Sequence, residues 1–352
     1  MTGVRFDGLS CPVPLDDTER VQLGHGSGGK LSARLIRERF LPHLGNPWLA
    51  QLGDGAVVTI GGAEAVLSTD TFVVSPLEFP GGDIGVLAVH GTVNDVAMMG
   101  ARPCFLTAGF VLEEGLPLET LERIVRSMAA AANAAGIPFV TGDTKVVERG
   151  KADGLYINTT GLGLVDPAFR PGPDRARPGD VILLSGVLGR HGMAIMAARE
   201  GLAFESAITS DTANLAPLVE RLKASAGDAV RALRDPTRGG LASALNEIAQ
   251  ASKAGMQLRE DRIPVPTDVA AACDMLGLDP MYVANEGVLT AIVAPERAEA
   301  ALAALRSHPT GAAACIIGTV TANHPGYVVL ETRIGGTRVV DMLPGDQLPR
   351  IC

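Results

Sequence analysis

Residues 166–180 contain Pro167, Pro171, Gly172, Pro173, Pro178 and Gly179. Proline lacks a backbone N–H and fixes φ, so neither a helix nor a central strand tolerates this density, and the stretch reads as a connection between domains. Each side carries its own strand and helix patterns. The first half offers strands at 56–60, 65–74, 103–111 and 155–165, where β-branched or alternating residues run between turn signals. Between them Val86, Val89, Val93, Val96 and Ala97 recur at helical spacing, with Asp95 on the opposite side. A second helix opens at Pro117, carries Leu121, Ile124, Val125 and Met128 on one stripe, and stops at Gly136. The second half gives strands near 181–185, 287–293, 314–320 and 327–330, and helices near 193–200, 241–250 and 296–308. Strands in the first half outnumber the needs of a doubly wound sheet, and its helices are unevenly spaced. Two α+β halves are therefore expected rather than one parallel sheet. The length of 352 residues agrees, at roughly 150 residues per domain. The domain reading is 1–170, 171–335 and a C-terminal tail at 336–352.

That tail is extended by expectation, because Pro344 and Pro349 oppose regular structure. From Asp341 onward it could reach about 40 Å at roughly 3.3 Å per residue. It ends on Cys352. A thiol on a flexible end can enter an active site as a substrate; the neighbouring terminal carboxylate raises its pKa and Arg350 partly offsets that. The bland alternative is a chance cysteine at a frayed end. Cys11, Cys104, Cys273 and Cys315 complete an odd set with no Cys-x-x-Cys pair, which argues against a disulfide framework or a zinc site.

Composition excludes several functions. A net charge of −9 and an aromatic content of 4% give neither the basic surface nor the stacking platforms of nucleic-acid binders. No apolar run approaches the roughly 18 residues of a membrane span, and residues 1–20 show no signal-peptide pattern. The expectation is a cytoplasmic protein whose partners are small molecules or proteins.

Asp54, Asp70, Asn94-Asp95 and Asp143 each stand at the edge of an apolar element. Such carboxylates could hold Mg²⁺ against a triphosphate, since hard cations select oxygen ligands. Singly, each reads equally as a turn former or helix cap. The loop Gly24-His25-Gly26-Ser27-Gly28-Gly29-Lys30 could offer backbone N–H groups to phosphates, though it lacks the Walker spacing. Asp235-Pro236-Thr237-Arg238-Gly239-Gly240 opens a helix in a way that admits an anion, or simply caps a turn. Glu286 precedes a strand as a general base or a loop acid, and Lys145 follows a turn as an anion-positioning or surface residue. His25, His90 and His191 lack ligand spacing and read as loop or packing residues.

Taken in order, these segments resemble one family. They are His25-Gly26-Ser27-Gly28-Gly29, Ser68-Thr69-Asp70-Thr71, Phe79-Pro80-Gly81-Gly82-Asp83-Ile84-Gly85, Gly91-Thr92-Val93-Asn94-Asp95-Val96-Ala97, Thr141-Gly142-Asp143-Thr144-Lys145-Val146-Val147, Arg234-Asp235-Pro236-Thr237-Arg238-Gly239-Gly240, Ala284-Asn285-Glu286-Gly287 and the terminal Pro349-Arg350-Ile351-Cys352. The chain resembles the HypE family of hydrogenase maturation factors, within the PurM-like superfamily of ATP-binding enzymes that includes aminoimidazole ribonucleotide synthetase. The resemblance implies a two-domain PurM-like α+β fold whose N-terminal sheets join into a barrel across a homodimer. It implies a carbamoyl dehydratase: HypF loads a carbamoyl group on the Cys352 sulfur, ATP drives its dehydration to a thiocyanate, and cyanide passes to iron held by HypC and HypD for the nickel–iron hydrogenase centre. By resemblance Gly26, Gly28, Gly29, Lys30, Asp54, Asp70, Asn94, Asp95 and Asp143 bind ATP. Asp54, Asp70, Asp95 and Asp143 hold Mg²⁺, and Lys145 and Glu286 act with Cys352 in catalysis. Related enzymes often have adjacent acids where this chain has Gly53-Asp54, which leaves the number of metal ions open. The alternatives are another ATP-dependent enzyme of the superfamily acting on a free small molecule, or a non-catalytic scaffold that recruits a partner through the tail.

Overall fold

The structure is a computed structural model that describes residues 20–201, 208–343, 345, 348 and 350–352. Cys11 lies outside the described residues. Among the described residues the first α-helical turns are α1 (Lys30–Leu35) and α2 (Leu41–Leu44). The chain then builds strands β1 (Ala56–Ile60) and β2 (Ala63–Phe72) and a short ribbon of β3 (Glu78–Phe79) and β4 (Gly82–Asp83). Helix α3 (Ile84–Met98), strand β5 (Ala101–Glu113), helix α4 (Leu118–Ala135) and strands β6 (Phe139–Val147) and β7 (Leu155–Val165) complete the first unit.

Its sheet has the order β1-β2-β7-β5-β6, with only β5 and β6 parallel. Strand β7 shows why α3 lies on one face: Leu155, Ile157, Thr159, Gly161 and Gly163 are buried at every second position. A Cβ on Gly163 would lie 2.3 Å from Val96, so the close approach of helix to strand requires glycine there. Asp83 caps α3, its Oδ1 accepting from the N–H groups of Gly85 and Val86 at 2.7 and 3.0 Å. Helix α4 ends as the sequence predicts, at Gly136 with φ +70°, and buries Ile124, Met128 and Ala132, while Val125 faces outward.

The second unit holds β8 (Val181–Leu184), α5 (Arg190–Glu200), α6 (Ala216–Ala226), β9 (Val230–Arg234), α7 (Gly240–Ser252) and β10 (Gly255–Arg259). It closes with α8 (Thr267–Leu276), β11 (Thr290–Val293), α9 (Ala298–Arg306), β12 (Cys315–Thr321), β13 (Val328–Glu331) and β14 (Thr337–Val340). These strands make one sheet, β14-β13-β10-β12-β8-β11-β9, in which only β10 and β13 are parallel. One aliphatic layer, with Leu241, Leu245 and Ile248 of α7, covers one face, and a second, with Leu218, Leu222, Leu302 and Leu305, covers the other.

Both halves are α+β, as the element pattern predicts. Strands β3, β4, β6, β9, β10 and β14 and helices α2, α6 and α8 come in addition to the predicted elements. Strand β14 pairs with β13, so residues 337–340, counted above with the tail, belong to the sheet. Among the described residues no helix is long and apolar enough to cross a membrane.

Candidate active site

The last residues of the chain return to the cleft between the two units. Segment 73–75, just past β2, receives them through two backbone hydrogen bonds: the Val73 N–H donates to the Cys352 carbonyl at 3.0 Å and the Ser75 N–H to the Arg350 carbonyl at 3.3 Å. Arg350 Nε donates to the Val73 carbonyl at 3.1 Å, and its guanidinium pairs with Asp153. Ile351 is buried in the first unit's core with Phe72 and Phe79. Cys352 thereby sits in a small cavity lined by Ser27, Thr71, Arg238, Gly239 and Tyr282.

Around the thiol stands a group of acids with few cations. Asp54, Asp95 and Asp235 each bring a carboxylate oxygen within 4.8 Å of the others. They come from three places: the turn before β1, the inner side of α3 and the end of β9. Ser68 bridges two of them, donating to Asp95 Oδ2 at 2.8 Å or to the Asp54 carbonyl at 2.6 Å. Arg234 pairs with Asp54 and Glu247. Asp70 lies 4.0 Å from Arg238. Glu286 is buried, and Asp235 Oδ2, Glu286 Oε1 and Asp211 Oδ2 are buried with no hydrogen-bond partner.

The electrostatics follow from crowding acids away from water. Burial, with Asp235 and Asp70 adding repulsion, raises the Asp95 carboxyl well above its ordinary range. Burial pushes Asp235 and Asp211 up to about 6. Glu286 is raised well above the usual value by burial first and then by Asp235, Asp70 and Asp211. Asp70 is raised by burial against the opposing pull of Arg238. Burial also raises the Cys352 thiol, and Arg238 is the first group to oppose it. The sequence reading gave these two parts to the terminal carboxylate and Arg350; tail docking instead buries the thiol and turns Arg350 to Asp153.

The other site residues predicted from sequence fall in three places. Gly28, at φ +73°, and Gly29 let the loop press against Arg238 and Leu343, since a Cβ would meet Arg238 at 3.0 Å on the first and the Leu343 carbonyl at 2.4 Å on the second. Arg238 donates to the Gly26 carbonyl at 3.1 Å, and Lys30 pairs with Asp341 at 2.6 Å. The loop's N–H groups at Gly28 and Gly29 donate to Ser32 and Ser27 hydroxyls. Asn94 is buried with both ends occupied: Oδ1 accepts from the Leu215 N–H at 2.8 Å and Nδ2 donates to the Ala213 carbonyl at 3.0 Å. Asp143 and Lys145 pair with each other at 2.7 Å, about 70% exposed, on β6 at the open edge of the first sheet. Between β2 and β6 lie three strand spacings, about 14 Å, so one chain does not bring this pair to the tail.

Two family models match the chain: AIR synthase related protein, N-terminal domain, over residues 52–165, and AIR synthase related protein, C-terminal domain, over residues 177–331. The carbamoyl dehydratase HypE of Azotobacter vinelandii is 58% identical over 94% of this chain and 97% of its own length. The chain belongs to the HypE family. A HypE solved in complex with ATP superimposes with a TM-score of 0.80 at 52% identity, covering 95% of this chain and 100% of that one. The HypE of a HypE–HypF complex gives 0.84 at 46% identity, covering 88% and 99%.

Asp235, Arg238, Asp211 and His191 were not among the predicted site residues. The first two stood in a segment already singled out as a possible anion-binding turn. Asp211 and His191 had no signal, because only the folded chain carries Asp211 Oδ1 to the Glu286 N–H at 3.1 Å and His191 to the Ile351 carbonyl.

Proposed function

We propose that this chain is an ATP-dependent carbamoyl dehydratase acting on its own C-terminus. An S-carbamoyl group on Cys352 becomes a thiocyanate, the source of cyanide for the iron of nickel–iron hydrogenase. The observation that carries this reading is the seat of Cys352, a terminal thiol held inside a cleft beside Arg238 and Glu286. The HypE relatives named carbamoyl dehydratase support it.

The balance is R–S–CO–NH₂ + ATP → R–S–C≡N + ADP + phosphate, in which the carbamoyl oxygen leaves with phosphate and nitrogen loses both protons. The donor set fits Mg²⁺–ATP. Asp54, Asp95 and Asp235 present converging oxygen donors, one of them unpartnered, as a hard cation requires, and Asp70 stands beside them. When bound, Mg²⁺–ATP supplies the phosphoryl group that turns a poor leaving group into a good one. Glu286 takes a proton from nitrogen; burial raises its carboxyl well above the usual value, which makes its ionised form the stronger base, and Arg238 opposes that rise. Arg238 holds positive charge between the tail and Asp70.

The N-terminal sheet exposes Leu67, Phe105 and Leu164, and its edge strand β6 exposes Val140 and Val146. These features support a homodimer in which two such sheets close a barrel. In that assembly Asp143 and Lys145 of one copy serve the cleft of the other, Asp143 at the metal and Lys145 at the carbamoyl group. HypF is the carbamoyl donor and a HypC–HypD complex the cyanide acceptor. The domains are 1–170 and 171–340, the second taking in β14, followed by the terminal tail, and the compartment is the cytoplasm.

Mass spectrometry of the full chain with HypF, a carbamoyl donor and ATP tests the reading. The C-terminal peptide gains a carbamoyl group and then loses one water. Mass loss on a peptide containing Cys11, Cys104, Cys273 or Cys315 instead would overturn it.

A further inference from the structure

We propose that helix α5 is the receptor for the C-terminal tail, with His191 the residue that positions Cys352. The assignment bears on the reaction only if Cys352 carries the reacting group, as read above, but the seat itself stands on geometry alone. Arg350 is left-handed, at φ +55°, so the direction of each tail carbonyl follows from the hydrogen bond it accepts. Those of Arg350 and Cys352 face segment 73–75 and take backbone N–H donors there. The Ile351 carbonyl points the other way, toward α5, and takes its bond from His191 Nε2 at 2.8 Å.

The imidazole is built for that single task. It is wholly buried, and Phe79 meets it edge-on with ring centroids 5.6 Å apart. Nδ1 lies 2.8 Å from the Ser210 hydroxyl, whose oxygen already accepts the Thr212 N–H at 3.1 Å. The Ile351 carbonyl can only accept, so Nε2 carries the proton, and Nδ1 of the neutral ring accepts from the Ser210 hydroxyl.

The first turn of α5 is clamped to the loop that carries Glu286. Asn285 accepts the Gly189 N–H at 2.7 Å, and the Gly192 N–H donates to the Ala284 carbonyl at 3.0 Å. A Cβ on Gly192 would strike Val283 at 2.5 Å, so helix and loop are in direct contact. Eight residues after His191, Arg199 Nη2 donates to the Arg350 and Ser75 carbonyls, each at 2.8 Å. One helix thus grips two successive tail carbonyls and fixes the thiol relative to Glu286.

Peptide-resolved alkylation by iodoacetamide tests this on the full chain, without ATP or a carbamoyl donor. Docking holds the thiol above its ordinary pKa, so a released tail reacts faster. Cys104 serves as the reference and fully buried Cys273 as the reporter of an intact fold. His191→Leu leaves a buried carbonyl unpaired, and the Cys352 rate relative to Cys104 rises roughly five- to hundredfold. His191→Gln, which keeps an N–H donor, restores most of the protection. An unchanged ratio in His191→Leu with Cys273 still protected overturns the proposal. If Cys273 becomes reactive in that variant, Ser210→Ala decides: a rise at Cys352 alone supports the seat, and no rise rejects it. Failure of the dehydration assay with these alkylation changes intact would instead count against the proposed function.

Discussion

The cleft around Cys352 and the edge strand β6 carry the same residue types, acids beside a base, in opposite physical states. In the cleft, burial and mutual repulsion raise Asp95, Asp235 and Glu286. On β6, the Lys145 ammonium beside Asp143 holds its carboxyl below the usual range in full contact with water. The cleft is loaded with negative charge that only bound cations or protons relieve; the edge pair is already neutral as a pair and holds no structure in place. One region is a site whose acids outnumber its cations, and the other is a balanced acid–base pair on an open edge.

The sharpest way to break that contrast is at the thiol. Cys352→Ala abolishes thiocyanate formation, spares ATP affinity in calorimetric titration and leaves the melting temperature nearly unchanged, since Ile351 is the buried anchor and Cys352 only packs at the edge of that core. Residual product in that variant would remove the terminal thiol from the reaction. Glu286→Gln follows, keeping the volume and removing the base: single-turnover dehydration falls about 10²- to 10⁴-fold with carbamoyl loading unchanged. A loss confined to loading would move Glu286 out of the chemistry.

A third experiment addresses the edge. Lys145→Met lowers dehydration at least about tenfold while stability shifts by less than about 0.5 kcal/mol, as at exposed positions generally. If the lysine acts across a dimer, mixing and re-equilibrating Lys145→Met with Cys352→Ala chains restores part of the activity, because one mixed site joins an intact tail to an intact lysine. No restoration would place the lysine's action within its own chain.

Much of this molecule is legible in its sequence. Period-two and helical patterns marked β1, β2, β5 and β7 and helices α3 and α4 of the first unit, because those elements bury one face and expose the other. Strand β6 escaped: seven of its nine residues are exposed, so Thr141, Asp143 and Lys145 carry no apolar alternation to read. Strands β9, β10 and β14 are no shorter than β8, β11 and β13, but they carry Arg231 and Arg234, Gln257 and Arg259, and Thr337 and Arg338 within the run, which interrupts the apolar signal. In the site, the aspartates at 54, 70 and 95 were legible by residue type and family resemblance, and the tail by its terminal cysteine. The fold alone shows that Asn94 is fully committed to the loop at 213–215 and that the tail rests inside the cleft. Partners far apart in sequence decide both.

The smallest expected effect is a stability one, and it tests the electrostatic half of the comparison directly. Asp235 titrates at about 6 in the fold against about 3.9 in an unfolded chain. The folded state therefore holds the proton more tightly. Its contribution is fully present below about pH 3.9 and is lost as pH rises through about 6, where the fold must keep a buried charge. Asp235→Asn removes that charge. Without divalent ions, its melting temperature exceeds wild type by a few degrees at pH 8 and by little at pH 4.5. Adding Mg²⁺ at pH 8 raises the wild-type midpoint toward that of the variant and leaves the variant nearly unmoved, because the ion relieves the same repulsion. Asp143→Asn on the exposed edge leaves Asp235 in place, so its midpoint keeps the wild-type pH dependence and Mg²⁺ response. A wild-type midpoint that climbs between pH 5 and 8, or an Asp143→Asn curve that follows that of Asp235→Asn, would mean that the two acidic regions are not in different physical states.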